Sequence, residues 1–129
     1  MRSLAMAFVM MLAAGPSLAA ADSRIAAMLE RIDPSERLEV ICEYAAADRI
    51  GHDKTSYRPD RAVIDSVSPA KMKGDLAEGT GGAFRSRGQW YQFSFHCKTT
   101  PDRLKILSFD YHVGEKIPED KWDIYGLWR

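Results

Sequence analysis

The sequence predicts an α+β domain, in which an antiparallel β-meander of three to five strands has one face covered by N-terminal helices and a short helix follows at the C-terminus. Three observations carry this prediction. Apolar residues recur at helical spacing between residues 23 and 50, two stretches between residues 89 and 113 alternate between two kinds of side chain, and turn-forming residues separate these stretches. Helices followed by consecutive strands are typical of an antiparallel sheet covered on one side.

The N-terminal 21 residues have the three parts of a secretory signal peptide. Arg2 supplies a positive start, residues 4–14 form an uncharged apolar core, and Gly15–Pro16 breaks the helix before a run of small residues. Two small-x-small sites place the cleavage after Ala19 or after Ala21. A membrane anchor is the alternative, but the apolar core is about half as long as the roughly twenty residues that a spanning helix needs.

We therefore predict a signal peptide over residues 1–21 and a single disulfide-tied domain over residues 22–129, with no membrane span in the mature form. Arg2 is the one charged residue of the first segment, so its removal changes 18 basic and 18 acidic side chains to 17 and 18. This near-neutral balance provides no broad basic field, and nucleic acid is therefore not an expected partner.

The sequence contains two cysteines, Cys42 and Cys97. In an oxidising compartment they are expected to form one disulfide, whereas in the cytosol they would be free thiols. The bond would close a loop of about 55 residues and contribute about 4 kcal/mol in the chain-entropy model. That is a large share of the roughly 5–15 kcal/mol by which small domains are stable.

Two helices are predicted at the start of the domain. Ser23–Ile32 has apolar residues at three- and four-residue spacing and ends at Asp33–Pro34, because the residue before a proline avoids helical geometry. The same pair begins the second helix, with Asp33 as N-cap, Pro34 in the first position and Glu36 as the reciprocal capping residue. This helix is expected to end at Gly51.

The remaining segments are interpreted as strands, turns and a last helix. Along the chain they are a strand at Arg61–Val67, an irregular glycine-rich loop at Ser68–Gly82, two strands at 83–86 and 89–98 joined by Arg87–Gly88, a turn at 99–103, a strand at Leu104–Val113 and a short helix at Pro118–Tyr125. Trp122, Tyr125 and Trp128 are expected to add to the core rather than to form a ligand site.

Pairing the long strands across the five-residue turn predicts an apolar sheet face. The predicted pairs are Phe95 with Leu107, Phe93 with Phe109, Tyr91 with Tyr111 and, across the first hairpin, Phe84 with Tyr91. Cys97 belongs to this face and Cys42 to the apolar stripe of the second helix, so the predicted disulfide ties that helix onto the sheet.

The same pairing predicts a polar stripe on the opposite face. The predicted pairs are Trp90 with His112, Gln92 with Asp110, Ser94 with Ser108 and His96 with Ile106, with Arg85 beside Trp90. One interpretation is a ligand-binding surface, in which Trp90 stacks on a sugar or aromatic ring and Arg85 holds an anion. The other is an ordinary solvated face with cross-strand pairs. The candidate ligand-binding residues are Arg85, Trp90, Gln92, Asp110 and His112.

No catalytic residue, metal site or cofactor is predicted. His52–Asp53, His96 and His112 match no standard ligand spacing for a metal. The glycines of residues 79–82 resemble a phosphate-binding loop only in composition, because no Lys-Ser/Thr follows them and a strand comes next.

Several stretches of the chain together carry a family resemblance: the Leu38–Ile50 helix, Tyr57–Val63, Gly82–Tyr91, 95–102, Lys105–Tyr111, Gly114, 117–122 and Leu127–Trp128. They resemble the motifs of an uncharacterised exported family of rhizobia and related alphaproteobacteria, domain of unknown function 930. The resemblance covers nearly the whole domain and implies a small exported protein of a Gram-negative cell with one cysteine pair. The resemblance implies no known activity. The family's His–Asn pair is replaced here by Ile124–Tyr125–Gly126, so no role of that histidine is transferred to this chain.

Three functions follow as hypotheses. The first is a non-catalytic periplasmic protein that binds an unknown protein or envelope component. The second is a secreted effector or inhibitor that acts on a host or rival protein, since such proteins are also small, exported and disulfide-tied. The third is a hydrolase that uses Asp110 and His112, which lie two residues apart on one strand face.

Overall fold

A computed structural model of the chain describes residues 18–129, with side chains from residue 23 onward. It contains two helices, an antiparallel sheet of five strands and a 3-10 turn, which confirms the predicted α+β class. The elements are α1 (Leu18–Leu29), α2 (Pro34–His52), β1 (Pro59–Val63), β2 (Lys71–Lys73), β3 (Leu76–Ser86), β4 (Gln89–Thr99), β5 (Ile106–Lys116) and a 3-10 turn (Glu119–Lys121). Most of the predicted signal peptide lies outside the described residues.

The second helix begins at its predicted cap, whereas the first helix differs from its predicted bounds at both ends. Asp33 caps α2, because its carboxylate accepts the backbone N–H of Ser35 at 2.9 Å, and Pro34 is the first helical residue. The predicted end at Gly51 is one residue early, since α2 continues to His52. The first helix begins at Leu18 rather than residue 23, and it ends at Leu29, after which a turn leads into α2.

The predicted irregular loop at Ser68–Gly82 is wrong, because this segment contains β2 and the first half of β3. The glycines of this segment allow neighbouring atoms to approach the strand closely, and they do not mark an irregular loop. A Cβ on Gly81 would lie 2.1 Å from the backbone nitrogen of Ser68, and one on Gly82 would lie 2.7 Å from the ring of Phe93. The strand therefore forms only with glycine at these positions, and it shifts register between Gly79 and Gly82.

The first hairpin has the predicted register, whereas the second does not. Arg87 and Gly88 both have positive φ angles, which is typical of a two-residue turn, and Phe84 lies opposite Tyr91. The loop between β4 and β5 is longer than predicted and is closed by a hydrogen bond from Thr100 N to Lys105 O at 2.9 Å. The observed pairs are Phe93 with Val113, Phe95 with Tyr111 and Cys97 with Phe109.

Between Ser108 and Val113 this difference of four residues leaves the side chains on their predicted faces, because faces alternate with a period of two. The register shift between Lys98 and Thr99 instead moves Ile106 to the inner face, and Leu107, which was predicted there, is 59% exposed. The apolar face, which we call the inner face, packs against α2, where Phe84 and Phe93 of the sheet are buried in one core with Ile41 and Ile50 of the helix. A disulfide joins Cys42 of α2 to Cys97 of β4 with their Cα atoms 6.0 Å apart. The predicted cysteine pairing is thus confirmed.

Candidate functional site

The face of the sheet opposite α2, which we call the outer face, is divided into a covered half and an open half. The C-terminal segment folds over the covered half, and the 3-10 turn replaces most of the predicted helix at Pro118–Tyr125. Three of its side chains, Ile117, Trp122 and Leu127, pack with Ala83 and Trp90 as a second hydrophobic cluster. The open half is a groove between β2 and β5.

Trp90 lies in the covered half and is fully buried. Its indole N–H donates to the carbonyl oxygen of Trp128 at 2.7 Å, and the ring of Trp128 packs edge-on against it with the centroids 5.2 Å apart. The indole is therefore a core side chain here, and the predicted pairing with His112 is wrong. The prediction that the C-terminal aromatics add to the core agrees with the burial of Trp122, whereas Trp128 remains about half exposed.

Arg85 lies directly opposite Trp90, as predicted, with its guanidinium carbon 5.8 Å from the ring centroid. The guanidinium is already paired, because Nε and Nη2 donate to the two carboxylate oxygens of Asp60 at 3.0 and 2.8 Å. These hydrogen bonds hold the pKa of Asp60 below its usual range and raise the pKa of Arg85. Both Arg85 and Trp90 therefore stabilise the fold at the covered end.

Gln92 lies between the two halves of the outer face. Its side-chain amide donates to the carbonyl oxygen of Thr80 at 2.8 Å and so bridges β4 to the irregular part of β3. The predicted pairing of Gln92 with Asp110 is wrong, because the backbone of Gly114 approaches Gln92 instead.

The open half is a groove of about 640 Å³ whose floor carries a row of paired polar residues. Lys71 of β2 pairs with Glu78 of β3, Glu78 pairs with His96 of β4, and His96 pairs with Asp110 of β5. We call these four residues the polar ladder. It replaces the predicted pairing of His96 with Ile106, which is wrong because Ile106 lies opposite Thr99.

A second row of polar residues lies beside the polar ladder. His112 lies directly opposite Ser94, and Thr80 borders the groove on the β3 side. The predicted pairing of Ser94 with Ser108 is wrong, because Ser108 lies opposite Lys98. Of the five candidate ligand-binding residues, Asp110 and His112 line this groove, Gln92 lies at its border, and Arg85 and Trp90 lie outside it. Their role in binding stays a prediction.

The polar ladder places an ammonium group, two carboxylates and an imidazole in one row across four strands. The imidazole Nε2 of His96 lies 3.8 Å from Oε2 of Glu78, and both side chains are close to half exposed. Such pairs contribute little to stability because water screens them. A row of exposed charges and hydroxyls in a concave surface is instead well placed to form hydrogen bonds with a polar ligand.

The groove brings together Asp110 and His112, the side chains of the hydrolase hypothesis, and the hydroxyl of Ser94. Among the described residues, no hydrogen bond links Ser94 to His112 or His112 to Asp110, although an activated serine depends on such contacts. No group of three or more potential ligand residues between 23 and 129 is arranged to hold a metal ion.

A smaller groove of about 540 Å³ lies on the other side of β5, beside the end of α2. Here the hydroxyl of Tyr111 donates to the Asp53 carboxylate at 2.6 Å. Burial, followed by this hydrogen bond, raises the pKa of Tyr111 to about 12. The bond ties the free edge of the sheet to the C-terminal end of α2.

Sequence reasoning missed Lys71, Glu78 and Thr80, because all three lie in the segment predicted as an irregular loop. A signal for the missed hairpin is present in Gly74–Asp75, a dipeptide typical of two-residue turns. Gly74 adopts a positive φ angle of 59° at this turn.

Fold and groove together define a small disulfide-tied α+β domain with an open polar groove on the uncovered part of its sheet. The chain belongs to the family described as Domain of Unknown Function (DUF930), whose family model matches residues 29–127. No curated protein and no solved structure matches the chain. Between residues 18 and 129, no helix has the length and apolar character that a membrane crossing requires.

Proposed function

We propose that this protein is a small exported domain of the cell envelope that acts as a non-catalytic binding module, with the groove over the polar ladder as its contact surface. The observation that carries this proposal is the continuous row Lys71–Glu78–His96–Asp110 at the floor of an open groove. The groove over this row is open to solvent and also borders the hydroxyl groups of Thr80 and Ser94 and the imidazole of His112.

Export is supported by two independent features. The N-terminal 21 residues have the composition of a signal peptide. The domain also relies on a disulfide between helix and sheet, and such bonds persist in oxidising compartments. Together these features favour a place of action outside the cytoplasm, and the resemblance to a Gram-negative family makes the periplasm the preferred destination.

The chemistry of the groove indicates a polar partner. The groove combines hydrogen-bond donors and acceptors in one surface, because it contains two carboxylates, one ammonium group and two imidazoles. A protein loop or another polar envelope component matches this surface better than an apolar ligand. Arg85 and Trp90 support the groove from the covered end through the fold, without contact with the partner.

An affinity capture with matched variants tests this proposal. The mature domain is incubated with envelope extract of its own cells, and bound proteins and glycans are identified by mass spectrometry. The double variant Glu78→Gln/His96→Gln removes two central members of the polar ladder, and we expect it to lose the partner. The control Glu36→Gln/His52→Gln makes the same changes at exposed positions of α2, and it should retain the partner. An identical partner set for all three proteins would contradict a role for the groove.

The alternative function is a secreted effector or inhibitor of a host or rival protein, which the same small disulfide-tied domain would suit. Cell fractionation separates the two functions. Retention in the periplasm supports the envelope module, whereas accumulation of the mature protein in culture medium or host cells supports the effector. The mass of the recovered protein also shows whether cleavage follows Ala19 or Ala21.

A further inference from the structure

The two free edges of the sheet differ in how well they are protected against pairing with another strand. Exposed edges of natural sheets are commonly short, bulged or interrupted by proline, because an unpaired edge is a template for a further strand. The β1 edge follows this rule: it has five residues, begins with Pro59 and shifts register between Pro59 and Arg61.

The β5 edge follows this rule less closely. It is eleven residues long, contains no proline, and ends the strand order of the sheet. Its pairing with β4 shifts register near each end, but residues Ser108–Val113 pair without a shift and form a regular stretch of edge. Among the described residues, no backbone hydrogen bond outside its pairing with β4 involves residues 106–116. Three of its outward-facing side chains, Ser108, Asp110 and His112, are exposed.

From this edge we infer that the protein forms a homodimer in which β5 pairs antiparallel with β5 of a second copy, with Tyr111 on the two-fold axis. In such a dimer the two sheets become one continuous sheet of ten strands, and the two grooves lie side by side across the axis. The inference is independent of what the groove binds.

The side-chain charges and the regular stretch of β5 favour the register centred on Tyr111 over registers centred on neighbouring residues. Only registers centred on one residue keep the outer faces of both copies together, because the side chains alternate. Centring on Tyr111 places Asp110 opposite His112 of the second copy, twice, so an imidazole faces a carboxylate in both pairs. Centring on Asp110 places two carboxylates opposite each other, and centring on His112 places two imidazoles opposite each other. Centring on Val113 would place Asp110 opposite Lys116, but it would use the part of β5 beyond Val113, where the pairing with β4 shifts register. Centring on Tyr111 places most of the regular stretch Ser108–Val113 within the pairing.

The inner face of β5 agrees with the same register. Phe109 lies opposite Val113 of the second copy, again twice, and the two Tyr111 rings meet at the axis. Tyr111 and Val113 are only partly buried in the single chain, and both border the smaller groove beside α2. Pairing would therefore cover partly exposed apolar surface and satisfy the free backbone groups of the edge at the same time.

Sedimentation equilibrium of the mature domain tests the dimer. The wild type is expected to show a monomer–dimer equilibrium. Asp110→His places imidazoles opposite each other in both pairs and should weaken the dimer about tenfold. The double variant Asp110→His/His112→Asp exchanges the partners and should restore the wild-type affinity, whereas Asp123→His, an exposed change outside β5, should leave it unchanged. A wild type that stays monomeric at all concentrations, or a double variant no better than the single one, would overturn the inference.

Cysteine cross-linking tests the register separately. Directly opposite residues of antiparallel strands have Cα atoms about 4.5–5.5 Å apart, within the range that a disulfide spans. Asp110→Cys and His112→Cys are prepared as separate proteins, whose folding is checked by circular dichroism, and then oxidised alone or mixed. Cross-linking in the mixture, with neither protein linking to itself, is the expected result. Self-linking of either variant, or no linking in the mixture, would overturn the proposed pairing.

Discussion

The indole N–H of Trp90 donates to the backbone carbonyl oxygen of Trp128 at 2.7 Å, although the two residues are 38 positions apart in the chain. This bond closes the C-terminal segment over one half of the outer face. It converts the most prominent aromatic side chain of the predicted binding stripe into a core residue and leaves the polar ladder as the accessible part of that face.

Removal of one buried side chain of the C-terminal segment is expected to destabilise the domain. Leu127 is buried against Trp90 and Trp122, so Leu127→Ala should lower the free energy of unfolding by about 2–4 kcal/mol. The matched control is Ile124→Ala, because Ile124 is 74% exposed, and it should change stability by less than about 0.5 kcal/mol. Urea unfolding followed by tryptophan fluorescence measures both. Equal effects of the two variants would contradict the packing of this segment.

The disulfide is expected to supply a substantial part of the stability. Replacement of Cys42 and Cys97 by alanine frees a loop that spans 55 positions and should cost about 4 kcal/mol. The comparison is made by urea unfolding of the oxidised wild type, the reduced wild type and the double variant. We expect the reduced protein and the double variant to unfold at similar, lower urea concentrations. Midpoints that all coincide would show that the bond does not constrain the fold.

Gly81 is expected to tolerate no side chain. Because a Cβ there would meet backbone atoms of Ser68, Gly81→Ala should destabilise the domain by more than about 2 kcal/mol. The control is Gly51→Ala in the last turn of α2, where the added methyl would lie 3.6 Å from Pro59, an ordinary contact. This control should be neutral or stabilising by up to about 1 kcal/mol. Thermal unfolding of both variants distinguishes a close-packed β3 from a flexible one, in which Gly81→Ala would be harmless.

Glu43 is expected to make stability depend on pH. Burial, and then the neighbouring Glu39 and Asp65, raises the pKa of Glu43 from 4.5 to about 7. The folded state therefore binds this proton more tightly than the unfolded state, so the stability contribution is complete below about pH 4.5 and is lost as the pH rises through about 7. A shift of this size corresponds to at most about 3.4 kcal/mol, and partial exposure reduces the expected effect to about 1–2 kcal/mol.

Glu43→Gln tests this dependence, because glutamine stays neutral at every pH. The variant should be more stable than the wild type by about 1–2 kcal/mol at pH 8 and nearly equal to it at pH 5. Glu30→Gln, at an exposed position, serves as the control and should show no such difference. Chemical unfolding at the two pH values measures the effect. A constant difference in stability between Glu43→Gln and wild type across this pH range would exclude Glu43 as the source of the pH dependence.

The sequence by itself determined the features that depend on neighbouring residues and on covalent chemistry. Asp33–Pro34 marks the start of α2 because a cap and a fixed φ angle act within one turn. Arg87–Gly88 sets the first hairpin because a two-residue turn permits one register. Two cysteines allow one intramolecular pair, and alternation along β4 assigns each residue to a face regardless of its partner strand.

Only the tertiary structure decided the features that depend on contacts between distant segments. The β4–β5 register is four residues from the predicted one, because the loop closed between Thr100 and Lys105 and the register shift between Lys98 and Thr99 together set it. The glycines of residues 79–82 resemble a loop until the close approach of Ser68 is known. Trp90 is buried by a segment that follows it by nearly forty residues, and the polar ladder forms because four separate strands bring one residue each to the same row.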